Sequence, residues 1–138
     1  MMKPMNVKTD LIDTILEPGS DDDAEELDRL EWQEREIDRL PDKAVEIACF
    51  EDDVDHSPGL SWQISCTYYA VPIGNPGEYA LFALDWDDNW GRWGWEVQGA
   101  VSGATSIAEA GKFLMAQLAG ERMTRDKSSY NRFLKQFR

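Results

Sequence analysis

Residues 78–101, EYALFALDWDDNWGRWGWEVQGAV, decide how the chain folds. Two runs rich in aromatic and other apolar residues, Glu78–Trp86 and Arg92–Val101, flank Asp87-Asp88-Asn89 and Gly91. That is the pattern of two antiparallel strands joined by a turn. The same period of two continues upstream in Ser61–Val71 and Ala44–Phe50. Turn formers separate these runs: Asp55-His56-Ser57-Pro58-Gly59 and Gly74-Asn75-Pro76-Gly77. Strands that follow one another through short turns predict a four-stranded antiparallel meander sheet.

Downstream the period becomes helical. Ser106 and Glu109 form a capping-box pair, and Ile107, Ala110, Gly111, Leu114 and Leu118 fall on one face. A helix over 106–119 therefore covers the sheet, giving a ββββα order of the α+β class. Tyr130, Phe133, Leu134 and Phe137 after Ser128 and Ser129 predict a short amphipathic C-terminal helix with Arg132, Lys135 and Arg138 on its other side. Upstream, Thr9–Leu16 reads as two helical turns and Glu17–Ser20 as a joint. Asp21–Leu40, DDDAEELDRLEWQEREIDRL, reads as one long helix that stops at Pro41. Leu27, Leu30, Ile37 and Leu40 give it a narrow docking stripe, interrupted by Glu34. The chain thus divides into an acidic helical extension, residues 1–41, and an α+β core with its C-terminal helix, residues 42–138.

Charge is distributed unevenly over the 138 residues. Residues 1–56 hold 19 Asp and Glu against six Lys and Arg, which is the whole net charge of −13. Residues 57–138 balance at eight of each sign, and Glu121–Arg138 has a local excess of four positive charges. Such a layout repels polyanions, so direct nucleic-acid binding is not expected. No run approaches the ~18 apolar residues of a membrane span, and Met1–Asp10 lacks a signal-peptide core; a cytoplasmic protein is expected. Cys49 and Cys66 have no metal or redox spacing and read as buried, reduced thiols.

The acidic helix is the feature that folding explains least. Asp21–Leu40 holds ten carboxylates along ~30 Å, roughly one per 3 Å, against one phosphate per ~3.4 Å on a DNA strand. A groove lined with Lys and Arg attracts both alike at long range. Asp21, Asp22, Asp23, Glu25, Glu26, Asp28 and Glu31 are the candidate partner-binding residues, with Glu51, Asp52, Asp53 and Asp55 extending the surface. The plainer reading is a solvated face that keeps the protein soluble. The basic tail is a candidate cover for this helix, within the chain or across a homodimer.

The Trp-rich hairpin is a second candidate interface, with four of six tryptophans in ten residues. Trp86, Trp93 and Trp95 read as cross-strand partners, Trp93 and Trp95 on one face, and Trp90 with Asp87 and Asp88 as an exposed tip. Asp85, Asp87, Asn89 and Glu96 half-match a calcium loop, but Trp90 stands where glycine is needed, so no metal site is expected. His56 is the sole histidine, nothing recommends it with Cys49 or Cys66 as a nucleophile set, and the glycines form no phosphate loop. Neither catalysis nor a cofactor is expected.

The carboxylates of Asp21–Asp38 and Glu51–Asp55 give the chain a compositional resemblance, over about a quarter of its length, to the small acidic DNA-mimic proteins of bacteriophages and mobile elements. Targets of that class include restriction enzymes, CRISPR complexes and DNA gyrase. The resemblance implies a phage-encoded inhibitor occupying the DNA-binding groove of a host protein, gyrase first, in the host cytoplasm. It implies no fold. In that mechanism the sheet and helix 106–119 hold the charged helix rigid. Two other readings stand beside it: an immunity protein neutralising a basic toxin, and a ligand-binding domain built on the Trp-rich hairpin.

Overall fold

The computed structural model of the protein describes residues 2–5, 28–57, 60–87, 91–122 and 128–137. These form an antiparallel sheet with helices on both faces. In chain order the elements are β1 (Lys3–Pro4), α1 (Arg29–Ile37), β2 (Val45–Ser57), β3 (Leu60–Pro72), β4 (Tyr79–Asp87), β5 (Arg92–Ser102), α2 (Ile107–Arg122) and α3 (Ser128–Lys135). The expected short helix Thr9–Leu16 and the joint Glu17–Ser20 lie outside the described residues.

The class is α+β, and the expected meander is present as β2 to β5, but the sheet has five strands in the order β1-β5-β4-β3-β2. The added strand pairs Lys3 with Ser102 and Pro4 with Val101 along the outer edge of β5. Two residues carry no alternation to read, and proline is tolerated there because an edge strand has one side free of the ladder. β2 is also longer than expected. The acidic run Glu51–Asp55 does not follow the first strand but belongs to it, paired from Glu51↔Ser65 to Asp55↔Ser61, and Ser57↔Leu60 closes the hairpin.

The sheet separates two apolar layers. On one face, Tyr68, Leu81, Ala83 and Val101 meet Ala110, Leu114, Met115 and Leu118 of α2 and Tyr130 and Leu134 of α3. Ser106 Oγ accepts from Glu109 N at 3.1 Å, so α2 is capped as expected. The Glu109 carboxylate reaches Thr105, taking its backbone N–H at 3.3 Å and its hydroxyl. Gly111 is required where α2 crosses β2: a Cβ there would stand 2.5 Å from Ile47 Cδ1. Gly77, at φ +84°, turns the β3–β4 connection so that its carbonyl accepts from Ala104 N at 3.1 Å. On the other face, Tyr69, Val71, Phe82, Leu84, Trp93 and Ala100 are packed against by Trp32 and Ile37 of α1, by Leu40 and Ala44 after it, and by Met5.

Candidate functional site

Helix α1 is shorter than the continuous helix expected over Asp21–Leu40. Asp28 has extended backbone, φ −72° and ψ 169°, and its carboxylate accepts from Glu31 N at 2.9 Å. It is therefore the N-cap at which α1 starts, because a short carboxylate competes for the backbone donors of the first turn; residues 21–27 lie outside the described residues. Nine residues make a helix of ~13 Å, less than half the span that the sequence suggests.

The docking side of α1 also differs from the expected stripe. Leu30 is 69 % exposed. The inward positions are Arg29, Trp32, Gln33, Glu36, Ile37 and Leu40, a helical face with a carboxylate at its centre. Glu36 is 8 % exposed and satisfied by three donors. Trp32 Nε1 donates to Oε1 at 3.3 Å, Trp95 Nε1 to Oε2 at 2.9 Å, and Arg39 Nη1 to Oε2 at 2.7 Å. Trp93 Nε1 donates to the Arg29 carbonyl at 2.9 Å. The Arg29 guanidinium lies 4.7 Å from the Trp86 ring centroid and 5.4 Å from that of Trp93. Trp86 and Trp93 are direct cross-strand partners with centroids 5.2 Å apart, and Trp32 stands edge-on to Trp86 at 6.3 Å. Charged acceptors strengthen such bonds to roughly 1.5–3 kcal/mol each, and a stacked cation adds roughly 0.5–2 kcal/mol.

This mounting corrects one expectation. Helix α2 does not brace the acidic helix, because it packs on the opposite face of the sheet; the tryptophans of β4 and β5 do so. Helix α3, with Arg132 and Lys135 exposed, is also on that opposite face, so within the chain it does not cover α1. Sequence reasoning missed Arg29, Trp32, Glu36 and Arg39. The signal was two indole donors, Trp93 and Trp95, on one face of an antiparallel pair, which must find acceptors when covered.

The solvent side of α1 carries Glu31, Glu34 and Asp38, all exposed, beside the exposed cap Asp28. Glu51 is exposed on β2 and accepts from Ser65 Oγ at 3.3 Å. The register Glu51↔Ser65, Ser65↔Trp86, Trp86↔Trp93 runs straight across the sheet. Since Arg29 sits on Trp86 and Trp93, the start of α1 and Glu51 share one face and one end of the molecule. Asp52, Asp53 and Asp55 continue along β2, opposite Ile64, Gln63 and Ser61. Asp87 pairs with Arg92 in the ladder. Asp21, Asp22, Asp23, Glu25, Glu26, Asp88 and Trp90 lie outside the described residues.

Asp85 and Glu96, ends of the half-matched calcium loop, stand on strands opposite Gly94 and Ala83. Among the described residues no group of three His, Cys, Asp or Glu is placed to hold a metal ion. Cys66 is buried, but Cys49 is exposed, against expectation, because it stands on an edge strand; its sulfur accepts from Thr67 Oγ1 at 3.4 Å. Burial raises the Tyr130 phenol well above its ordinary range, helped by Cys66 beside it. No helix among the described residues is long and apolar enough to cross a membrane. No family model, curated protein or solved structure matches the chain.

Proposed function

We propose that the protein is a non-enzymatic DNA mimic that inhibits a DNA-binding enzyme of its host by occupying the basic groove, with DNA gyrase the first enzyme to assay. One observation carries the reading. The outer carboxylates of α1 are exposed while its inner side is fixed to the sheet by the Glu36 and Arg29 contacts. Glu31, Glu34 and Asp38 follow one another along the helix axis at ~4.5 and ~6 Å. Rigidly held charges lose little freedom on binding, which favours affinity. Glu51 on the same face and end adds to the field that steers a basic partner.

The test is inhibition of gyrase supercoiling, with duplex DNA as competitor, at low and high salt. Association should be fast, and affinity should fall by about ten-fold or more from 50 to 300 mM salt. Neutralising Asp28, Glu31, Glu34 and Asp38 together should abolish inhibition while the fold persists. Inhibition that ignores salt, or that survives this neutral variant, would sink the proposal. A tight basic partner with no DNA-binding function would favour the immunity reading instead.

A further inference from the structure

A pocket of about 220 Å³ opens where α1 ends. Ile37, Leu40, Pro41 and Ala44 form its apolar walls, Tyr69 of β3 lies against them, and Asp38 and Asp42 stand at its exposed rim. The wall is built by the tight exit from the helix, where Leu40 N donates to the Ile37 carbonyl at 3.0 Å and Ala44 N to the Pro41 carbonyl at 2.9 Å. Its volume is below the ~300–1,000 Å³ typical of small-molecule sites and suits a single long side chain.

Two features make the mouth of the pocket negative. Asp38 and Asp42 are both exposed carboxylates. The C-terminal end of a helix presents the negative pole of its dipole, and α1 ends here. Tyr69 adds no charge of its own: a phenol is neutral at pH 7, and burial first, then Glu46 and Cys49, push this one up to about 12. A half-open pocket with Ile37, Leu40, Pro41 and Ala44 in its wall and two carboxylates at its mouth matches a ligand with a hydrocarbon stem and a cationic head. A planar guanidinium is more weakly hydrated than an ammonium and packs better beside an aromatic ring.

We propose that this pocket takes the side chain of one arginine of the partner, its methylene stem against Ile37, Leu40, Pro41 and Ala44 and its guanidinium between Asp38 and Asp42. The inference rests on the reading of the protein as a binder of a basic surface, and it supplies what a charged face alone lacks. Long-range charge brings many basic surfaces together; a desolvated anchor selects among them and slows dissociation.

The pocket can be tested without the partner, using n-butylguanidinium as probe and neutral n-butylurea as its match in shape. Amide chemical shifts of residues 37–44 and of Tyr69 should saturate with butylguanidinium at about millimolar concentration, the affinity expected of so small a ligand. Butylurea should leave them unmoved. Asp38→Asn and Asp42→Asn should each weaken binding roughly two- to five-fold, as partly exposed charge pairs do. Ala44→Phe should fill the pocket and abolish the shifts.

Equal shifts with butylurea, or full affinity in the double Asn variant, would overturn the site. Tighter binding of n-butylammonium would overturn the choice of arginine. With the enzyme, Ala44→Phe keeps every outer carboxylate and should weaken inhibition by about ten-fold, the usual cost of an interface anchor. Unchanged inhibition overturns the anchor and leaves the DNA-mimic reading standing. Butylguanidinium binding with no DNA-competed inhibition overturns that reading and leaves the cation pocket.

Discussion

The two faces of the sheet are closed by different physics. On the α2 and α3 side, aliphatic and aromatic side chains interdigitate, with Leu81, Ala83, Ala110, Met115, Ala119 and Leu134 wholly buried. On the α1 side the covering helix is polar, and it is held by two indole N–H groups of β5, Trp95 donating to the Glu36 carboxylate and Trp93 to the Arg29 carbonyl. The first arrangement depends on area removed from water and tolerates no charge. The second turns tryptophan, usually a core residue, into a set of donors that lets a helix of mean acidic character lie on an apolar sheet. Without those donors α1 would have little reason to dock, and its outer carboxylates would have no fixed position.

The largest effect should come from the dry face. Leu114→Ala should cost roughly 2–5 kcal/mol in denaturant unfolding, since Leu114 is almost wholly buried and its loss leaves a cavity. A loss under 1 kcal/mol would mean that α2 contributes little to closure. Glu36→Ala comes next. Removing the acceptor strands the Trp95 and Trp32 indoles and Arg39, at a cost of roughly 1–3 kcal/mol. Its emission should shift to the red while far-UV dichroism of the sheet is kept; an unshifted spectrum would show that area, not the carboxylate, holds α1. Arg29→Met keeps the stem but removes the cation over Trp86 and Trp93, and should cost roughly 0.5–2 kcal/mol.

The smallest effect is confined to alkaline solution. A phenol whose folded-state pKa is raised from 10.0 to about 12 contributes stability that is complete below pH 10 and is lost as pH climbs toward 12. Tyr69→Phe should therefore flatten the decline in stability between pH 10 and 12 and leave the value at pH 7 nearly unchanged. A decline equally steep in the variant would assign it to other groups.

The central strands were legible as short uninterrupted runs between turn formers, because side chains on both faces of β3 and β4 are buried from Cys66 to Val71 and from Ala80 to Leu84. Helix α2 was legible from its cap and its period. What escaped was any interaction whose partner is distant in sequence. Strand β1 exists only because β5 offers an open edge about a hundred residues away. The docking face of α1 escaped because Glu36 looks, in a hydropathy pattern, like a residue for water; only Trp32 and Trp95, 59 residues downstream of it, make it a core group. Asp28 shows the same limit at shorter range, since ten acids in one run hide the one that caps. The outer acids Glu31 and Glu51 were legible as charges, but their common end of the sheet required the register.

That register has a consequence for how the molecule opens. Among the described residues β4 pairs with β3 only from Ser65 onward, so the pairs from Asp52↔Ile64 to Ser57↔Leu60 form a two-stranded ribbon beyond the body of the sheet. Two strands alone are marginal in water. The ribbon can therefore unzip as a cooperative unit separate from global unfolding. Native-state hydrogen exchange should read this as a step at Ser65: amides on the ribbon exchange through local fraying, and those from Tyr68 to Val71 only when the whole domain opens.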